Sequence, residues 1–240
     1  MEVLHSLVGY KDRVIYQNTE WFTFSLDSVL LARFVTINKR ISKILDLGTG
    51  NAPIPLILST RTDKPIVGIE LQPDVCELAR KSVAKNHLES QINIDCINIK
   101  DICSTYSAET FDIITMNPPY FKVKQNAIIN EDIHKTIARH EVEITLEQII
   151  STVRFLLKTN GVFAMVHRTD RFIEVIDLLH KYKLEPKRIQ FIFPKEKESS
   201  NMFLIEVTKN GKTGLTLLPP LYIHNNDGSY REEIEKIFVD

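Results

Sequence analysis

The residues best suited to chemistry form one short stretch, Asn117-Pro118-Pro119-Tyr120. It closes an apolar run, Phe111 to Met116, that reads as a buried strand. Two prolines stop ladder pairing there, and the residue before a proline is driven into the extended region. The spacing predicts a stiff strand end that presents a carboxamide, a proline carbonyl and an aromatic ring together. The Asn117 carboxamide oxygen and the Pro118 carbonyl can both accept hydrogen bonds from one exocyclic amino group. Tyr120 can stack on the ring that carries that group. The chemistry this suits is the holding of a planar amide or aminopurine nitrogen for attack on an electrophile. A plain polar turn uses the same residues, since Asn-Pro marks turns.

Further polar residues fall at the ends of other predicted strands. Ile41 to Leu47 reads as a strand that runs into Gly48-Thr49-Gly50-Asn51-Ala52-Pro53 and then an apolar helix, Ile54 to Thr60. A strand, a glycine turn and a helix make the first half of a nucleotide-binding unit. Gly48 and Gly50 let the backbone bend and approach a ligand closely. Asp46 precedes them, where a carboxylate would repel a pyrophosphate and attract an ammonium. The third glycine of the dinucleotide fingerprint is missing. A second strand, Ile66 to Glu70, ends in an acid about twenty residues after Gly50, the place for a ribose-diol acceptor. An acid facing an α-amino group and an acid for a ribose fit S-adenosylmethionine better than NAD. A helix from Pro73 to His87 and a third strand, Ile92 to Ile97, follow. Asp101 then falls where a carboxylate could meet an adenine amino group, with Ile102 against the ring. A surface aspartate capping a turn explains Asp101 equally well. In an open α/β sheet, Asp46, Glu70, Asp101 and Asn117 would all lie at one edge.

Composition sets the frame for these elements. The chain of 240 residues is 43% hydrophobic and 25% charged, as in a globular α/β domain with additions. No apolar run approaches the ~18 residues of a membrane span. The N-terminus has no basic flank or long apolar core, so no signal peptide is expected. The three cysteines, Cys76, Cys96 and Cys103, lack zinc or redox spacing and suit reduced thiols in the cytoplasm. No metal constellation is present. A net charge of -1 leaves nucleic-acid binding to local patches. One such patch is Lys181, Lys183, Lys187, Arg188, Lys195 and Lys197, diluted by Glu185, Glu196 and Glu198. Phosphate binding and a solvated face both fit it.

The rest of the chain supplies scaffold. A hairpin-like lead-in is expected around Arg13 to Gln17, with Trp21, Phe22 and Phe24 as a lid. Ser25 should cap a helix that runs through Leu26-Asp27-Ser28 and Val29 to Val35. Phe121 to Glu143 is a long polar connection carrying Lys122, Lys124, Lys135 and Arg139. The α/β alternation resumes with a helix Leu146 to Leu157, a strand Gly161 to Val166 and a helix Asp170 to Tyr182. Two strands, Ile189 to Phe193 and Met202 to Val207, close it as an antiparallel pair. A turn at Asn225 to Gly228 precedes a short helix from about Arg231.

Asp46-Leu47-Gly48-Thr49-Gly50, Glu70 and Asn117 to Tyr120 resemble the motifs of class I S-adenosylmethionine-dependent amino-methyltransferases. More closely, the chain resembles the bacterial valine-tRNA adenine-N6 methyltransferases. The matching pieces include Phe24 to Ala32, Gly68 to Gln72, Ala138-Arg139-His140-Glu141, Val166-His167-Arg168, Pro186-Lys187-Arg188, Asn210 to Leu215 and Leu218 to Leu221. The resemblance implies a Rossmann-like fold with a seven-stranded, mostly parallel sheet, an antiparallel last strand and helices on both faces. It implies a lead-in and cap helix over 1–40, a methyltransferase domain over 41–210 and an extension over 211–240. It implies S-adenosylmethionine as donor, with S-adenosylhomocysteine as product and no metal. The donor would lie on Asp46, Gly48, Gly50, Asn51, Glu70, Asp101, Ile102 and Asn117. Asn117, Pro118 and Tyr120 would hold the adenine of adenosine 37. Phe121, Lys122, Lys124, Arg139, His140, Lys187 and Arg188 would contact the tRNA. Ala52 departs from the family's usual glycine and is expected to have a negative φ. Protein-glutamine methyltransferases share the Asn-Pro-Pro-Tyr motif but carry a helical domain before the glycine turn, where about forty residues stand here. A DNA or rRNA adenine-N6 methyltransferase and a non-catalytic RNA-binding module of the same fold are the other rivals.

Overall fold

A computed structural model describes residues 1–18, 25–118 and 144–239. Trp21, Phe22 and Phe24, expected as a lid, lie outside these residues. The chain opens with a two-stranded antiparallel hairpin, β1 (Glu2–Leu7) and β2 (Tyr10–Asn18). It is longer than the expected lead-in. The helix α1 (Leu26–Phe34) follows. Ser25 sits at its cap position but makes no side-chain cap; its hydroxyl donates to Asp27 instead, at 3.1 Å.

The α/β body then runs β3 (Ile44–Leu47), α2 (Pro53–Leu58), β4 (Ile66–Glu70), α3 (Pro73–Lys85), β5 (Ile92–Cys96), α4 (Ile102–Thr105) and β6 (Phe111–Met116). Past residue 143 come α5 (Leu146–Leu156), β7 (Leu157–Arg168), α6 (Phe172–Lys181), β8 (Leu184–Phe193) and β9 (Met202–Lys209). Two short strands, β10 (Thr216–Leu217) and β11 (Leu221–Tyr222), and a final helix, α7 (Glu232–Val239), complete the described chain. The strand order is β10-β8-β9-β7-β6-β3-β4-β5, with β11 also on β8. Strands β3 to β7 pair in parallel, and β9 lies antiparallel between β7 and β8. The expected seven strands with a reversed last one are therefore present. The short β10 and β11, both parallel to β8, extend the sheet to nine.

The sheet splits the core by residue parity, as the strand period of two requires. Ile44, Ile66, Ile113, Ala164 and Leu204 face α1, α2 and α3. Leu45, Val67, Ile114, Met165 and Ile205 face α4, α5 and α6. Burial on both faces explains why β3 and β4 are buried at every position and read as continuous apolar runs. Strand β8 starts five residues before the apolar run that suggested it. Pro186 lies at a register shift against β9, where a strand tolerates the lost donor.

The hairpin docks on α3 through polar side chains. Asn86 accepts from the Val14 N–H at 3.0 Å and donates to the Val14 carbonyl at 2.6 Å, as a neighbouring strand would. The Tyr16 N–H donates to Ser82 Oγ at 2.9 Å. These bonds satisfy the edge of β2 without a third strand.

Candidate active site

The C-terminal ends of β3, β4 and β6 meet at one edge, the rim where open α/β sheets bind ligands. Asp46 stands in register with Gly68 on one side and Thr115 on the other. Its carboxylate is fully buried. It accepts from Thr115 Oγ1 at 2.7 Å and from Thr49 Oγ1 at 2.7 Å. Burial pushes its pKa up to about 7; the two hydroxyls oppose that rise and the charge of Glu70 adds to it. The expected direct contact with an α-amino group is therefore corrected. Asp46 ties the glycine turn to β6 and offers no exposed surface.

The glycine turn is left-handed at alternate residues. Gly48 has φ +65° and Gly50 φ +57°, and among the described residues a Cβ on either would meet nothing within 4 Å. Conformation, not crowding, requires glycine there, and the turn's outer face is open to a ligand. Ala52 is also left-handed, at φ 72°, against the expected negative angle. It is fully buried, and its N–H donates to the Thr49 carbonyl at 3.0 Å. The turn holds it there against a cost of roughly 1–2 kcal/mol. Gly68 needs glycine for space: a Cβ would lie 2.8 Å from Thr49 Cγ2 and 2.9 Å from both Thr49 Oγ1 and Ile94 Cδ1. Gly68→Ala is expected to cost about 1–3 kcal/mol through overpacking. It should also push Thr49 off Asp46 and weaken donor binding. Urea denaturation and calorimetry check both; unchanged stability would show that the turn yields freely.

Glu70 is buried and braces the same turn. Its Oε2 accepts from the Gly50 N–H at 3.0 Å, and its Oε1 accepts from the Leu71 and Gln72 N–H groups at 2.8 and 3.0 Å. Burial raises its pKa, and the bonds from Gln72, Gly50 and Leu71 oppose the rise. A carboxylate has about four acceptor sites, so Glu70 retains capacity for a hydroxyl. Asn51 donates from Nδ2 to the Tyr16 carbonyl at 2.8 Å, which ties the hairpin to the turn.

Asn117 follows β6 directly and is half-buried. Its Nδ2 donates to Ser28 Oγ of α1 at 3.0 Å. Pro118 is buried beside it. Asp101 is exposed at the end of a short 3-10 turn (Ile99–Asp101). Ile102 is fully buried in the core under α4 and α5. The expected packing of its side chain on a ligand ring is corrected, because no Ile102 surface faces outward. Sequence reading misses Ser28, Thr49 and Thr115 beside these residues. For Ser28 and Thr115 the signal is a hydroxyl inside an apolar, buried element, which must find a partner; Thr49, in the glycine turn, carries no such signal.

The basic patch is also corrected. Strand β8 runs parallel to β7, because both oppose β9. Lys181 and Lys183 precede its start, and Lys195 and Lys197 follow its end. Ten residues at about 3.3 Å each separate the two groups by roughly 30 Å. Arg188 Nη1 donates to the Phe34 carbonyl at 3.1 Å and to Thr36 Oγ1 at 2.7 Å, and pairs with Glu206. The guanidinium also covers the Phe34 ring. It clamps α1. Lys187 Nζ donates to the Lys212 carbonyl. Pro119, Tyr120, Phe121, Lys122, Lys124, Arg139 and His140 lie outside the described residues. Among the described residues, no group of three or more His, Cys, Asp or Glu could hold a metal ion, and no helix is long and apolar enough to cross a membrane.

Comparisons with known proteins bear on this geometry. The chain is 29% identical over 218 residues to the tRNA1(Val) (adenine(37)-N6)-methyltransferase of Bacteroides thetaiotaomicron, covering 89% of each chain. A protein of the same name from Porphyromonas gingivalis is 34% identical over 148 residues, 60% of this chain and 57% of that one. The fold is similar to that of a predicted O-methyltransferase from Agrobacterium tumefaciens, with a TM-score of 0.70 at 19% identity over 88% of this chain and 95% of that one. The family model described as a methyltransferase domain matches residues 38–205. That span takes in the glycine turn, Glu70 and Asn117, and by it the chain belongs to the methyltransferase domain family.

Proposed function

We propose that this protein methylates the N6 amino group of adenosine 37 in valine tRNA, with S-adenosylmethionine as donor, in the cytoplasm. One observation carries the reading. The relatives that match most of this chain bear the name tRNA1(Val) (adenine(37)-N6)-methyltransferase. The site supports it. The open face of Gly48 and Gly50 and the spare acceptor capacity of Glu70 fit a nucleoside-bearing donor. Asp46 and Glu70 supply negative charge suited to its ammonium and sulfonium. When bound, the donor supplies an electrophilic methyl group.

The chain's own residues prepare the acceptor. An adenine amino nitrogen is a poor nucleophile because its lone pair is delocalised into the ring. The Asn117 oxygen and the Pro118 carbonyl accept its two N–H bonds and so localise the lone pair toward the methyl. The gain is orientation and electrostatics. The nitrogen must release one proton as its new bond forms; the two neutral carbonyl oxygens hydrogen-bond to its N–H groups, and solvent water takes the proton. The base must leave its stack to reach the sheet edge. Incubation with methyl-labelled donor and an unmodified valine tRNA transcript is expected to give N6-methyladenosine on nucleoside analysis. A transcript with guanosine at position 37 should stay unlabelled. Label in that control, or none in either, would sink the reading.

A further inference from the structure

The Asn117 carboxamide works only if its oxygen, not its nitrogen, meets the adenine amino group. The two ends of an amide are nearly equal in size and opposite in hydrogen-bonding sense. Something must therefore fix which end faces the base. Asn117 Nδ2 donates to Ser28 Oγ at 3.0 Å, across 89 residues of sequence. We infer that Ser28 is a positioning residue for methyl transfer: its hydroxyl holds the nitrogen end of Asn117 and turns the oxygen toward the base. This inference rests on the proposed acceptor role of Asn117.

Ser28 is well placed for that task. It is buried, in a helix whose residues 28 to 32 are all buried. A hydroxyl in such a setting needs a partner, and here it meets Asn117. Helix α1 is itself fixed from its other end. Arg61 donates to the Ala32 carbonyl and, at 2.9 Å, to the Val35 carbonyl. Arg188 donates to the Phe34 carbonyl. Glu206 accepts from the Thr36 N–H at 2.7 Å and from Thr36 Oγ1 at 2.9 Å. Two cations on the last carbonyls suit the negative end of the helix dipole. The clamp prevents α1 from sliding, so Ser28 keeps its place relative to the end of β6.

A double-mutant cycle tests the inference. Ser28→Ala is expected to lower the single-turnover rate at saturating tRNA by roughly tenfold, the scale of one lost hydrogen bond. Donor affinity by calorimetry and the melting temperature should stay near wild type. On an Asn117→Ala background, Ser28→Ala should cost nothing further. An unchanged rate for the single variant, or the same loss on both backgrounds, would overturn it. A second readout needs no substrate. In protein labelled with 15N-asparagine, the Asn117 side-chain amide signals should shift and exchange faster in Ser28→Ala. Unchanged signals would overturn the inference. If the wild type fails to methylate tRNA, the substrate reading falls, and the amide signals still decide whether Ser28 holds the Asn117 carboxamide.

Discussion

Asn117→Ala is expected to lower the single-turnover rate of methyl transfer to unmodified valine tRNA by roughly 10²–10³-fold, the usual loss for one oriented polar group at a developing charge. The adenine nitrogen is neutral before transfer and becomes positive as its bond to the methyl forms. Its N–H groups grow more acidic along that path, so the bond to the Asn117 oxygen strengthens toward the transition state. Interactions that strengthen only there raise kcat and leave ground-state binding nearly unchanged. Donor affinity should change little, because the glycine turn is braced by Asp46 and Glu70 and not by Asn117. Calorimetry with the donor and rapid-quench methylation at saturating tRNA separate the two effects. A near-wild-type rate would remove Asn117 from the chemistry. A rate loss matched by an equal loss of donor affinity would make it a donor-site residue instead.

The parts of this site that sequence made legible are those fixed by chain-local rules. Asn117 had to end a strand because Pro118 and Pro119 follow it. Gly48 and Gly50 had to mark a turn, and Glu70 had to close the next strand. What stayed hidden depends on which strands lie side by side. Thr115 is 69 residues from Asp46, yet the parallel register sets them opposite each other. Nothing in the Phe111 to Met116 run says which strand it joins. The same ignorance misled the reading of the basic patch. Lys187 and Lys195 look close in sequence, but an extended strand carries the second most of the way across the sheet. Arg188 sits in the middle of that strand, beside Glu206 of β9, and closes on α1. Ala52 shows the reverse case. Its residue type argued for negative φ, and the turn's hydrogen bonds imposed +72°.

The second large effect concerns pH and Asp46. Its folded-state pKa is raised from 3.8 to about 7, chiefly by burial. A raised carboxyl favours folding while it stays protonated. That contribution is complete below pH 3.8 and is lost as pH rises through about 7. Over that window the change corresponds to about 4 kcal/mol. Asp46→Asn removes the ionisation and keeps the shape. Its oxygen can accept from Thr115, and its nitrogen can donate to the hydroxyl of Thr49. Urea denaturation should therefore show wild type and variant nearly equal at pH 4. The gap should widen in the variant's favour to several kcal/mol by pH 8. Titrations elsewhere, such as the lowered carboxyls of Asp112 and Glu174, act on both proteins and cancel in the difference. Glu70 does not cancel fully, because its charge adds to the rise at Asp46, and that repulsion is absent in Asp46→Asn. Donor binding should move the other way. The ionised carboxylate sits beneath the turn where a cationic donor would lie, so Asp46→Asn should bind S-adenosylmethionine more weakly at pH 8 while being more stable without it. Such a trade of stability for binding is common at ligand sites. A gap that ignores pH would mean that Asp46 is already charged, and held so, in the folded protein at pH 4. A variant that is less stable at pH 8 would mean that the two hydroxyls outweigh burial, and that Asp46 serves the fold rather than the donor.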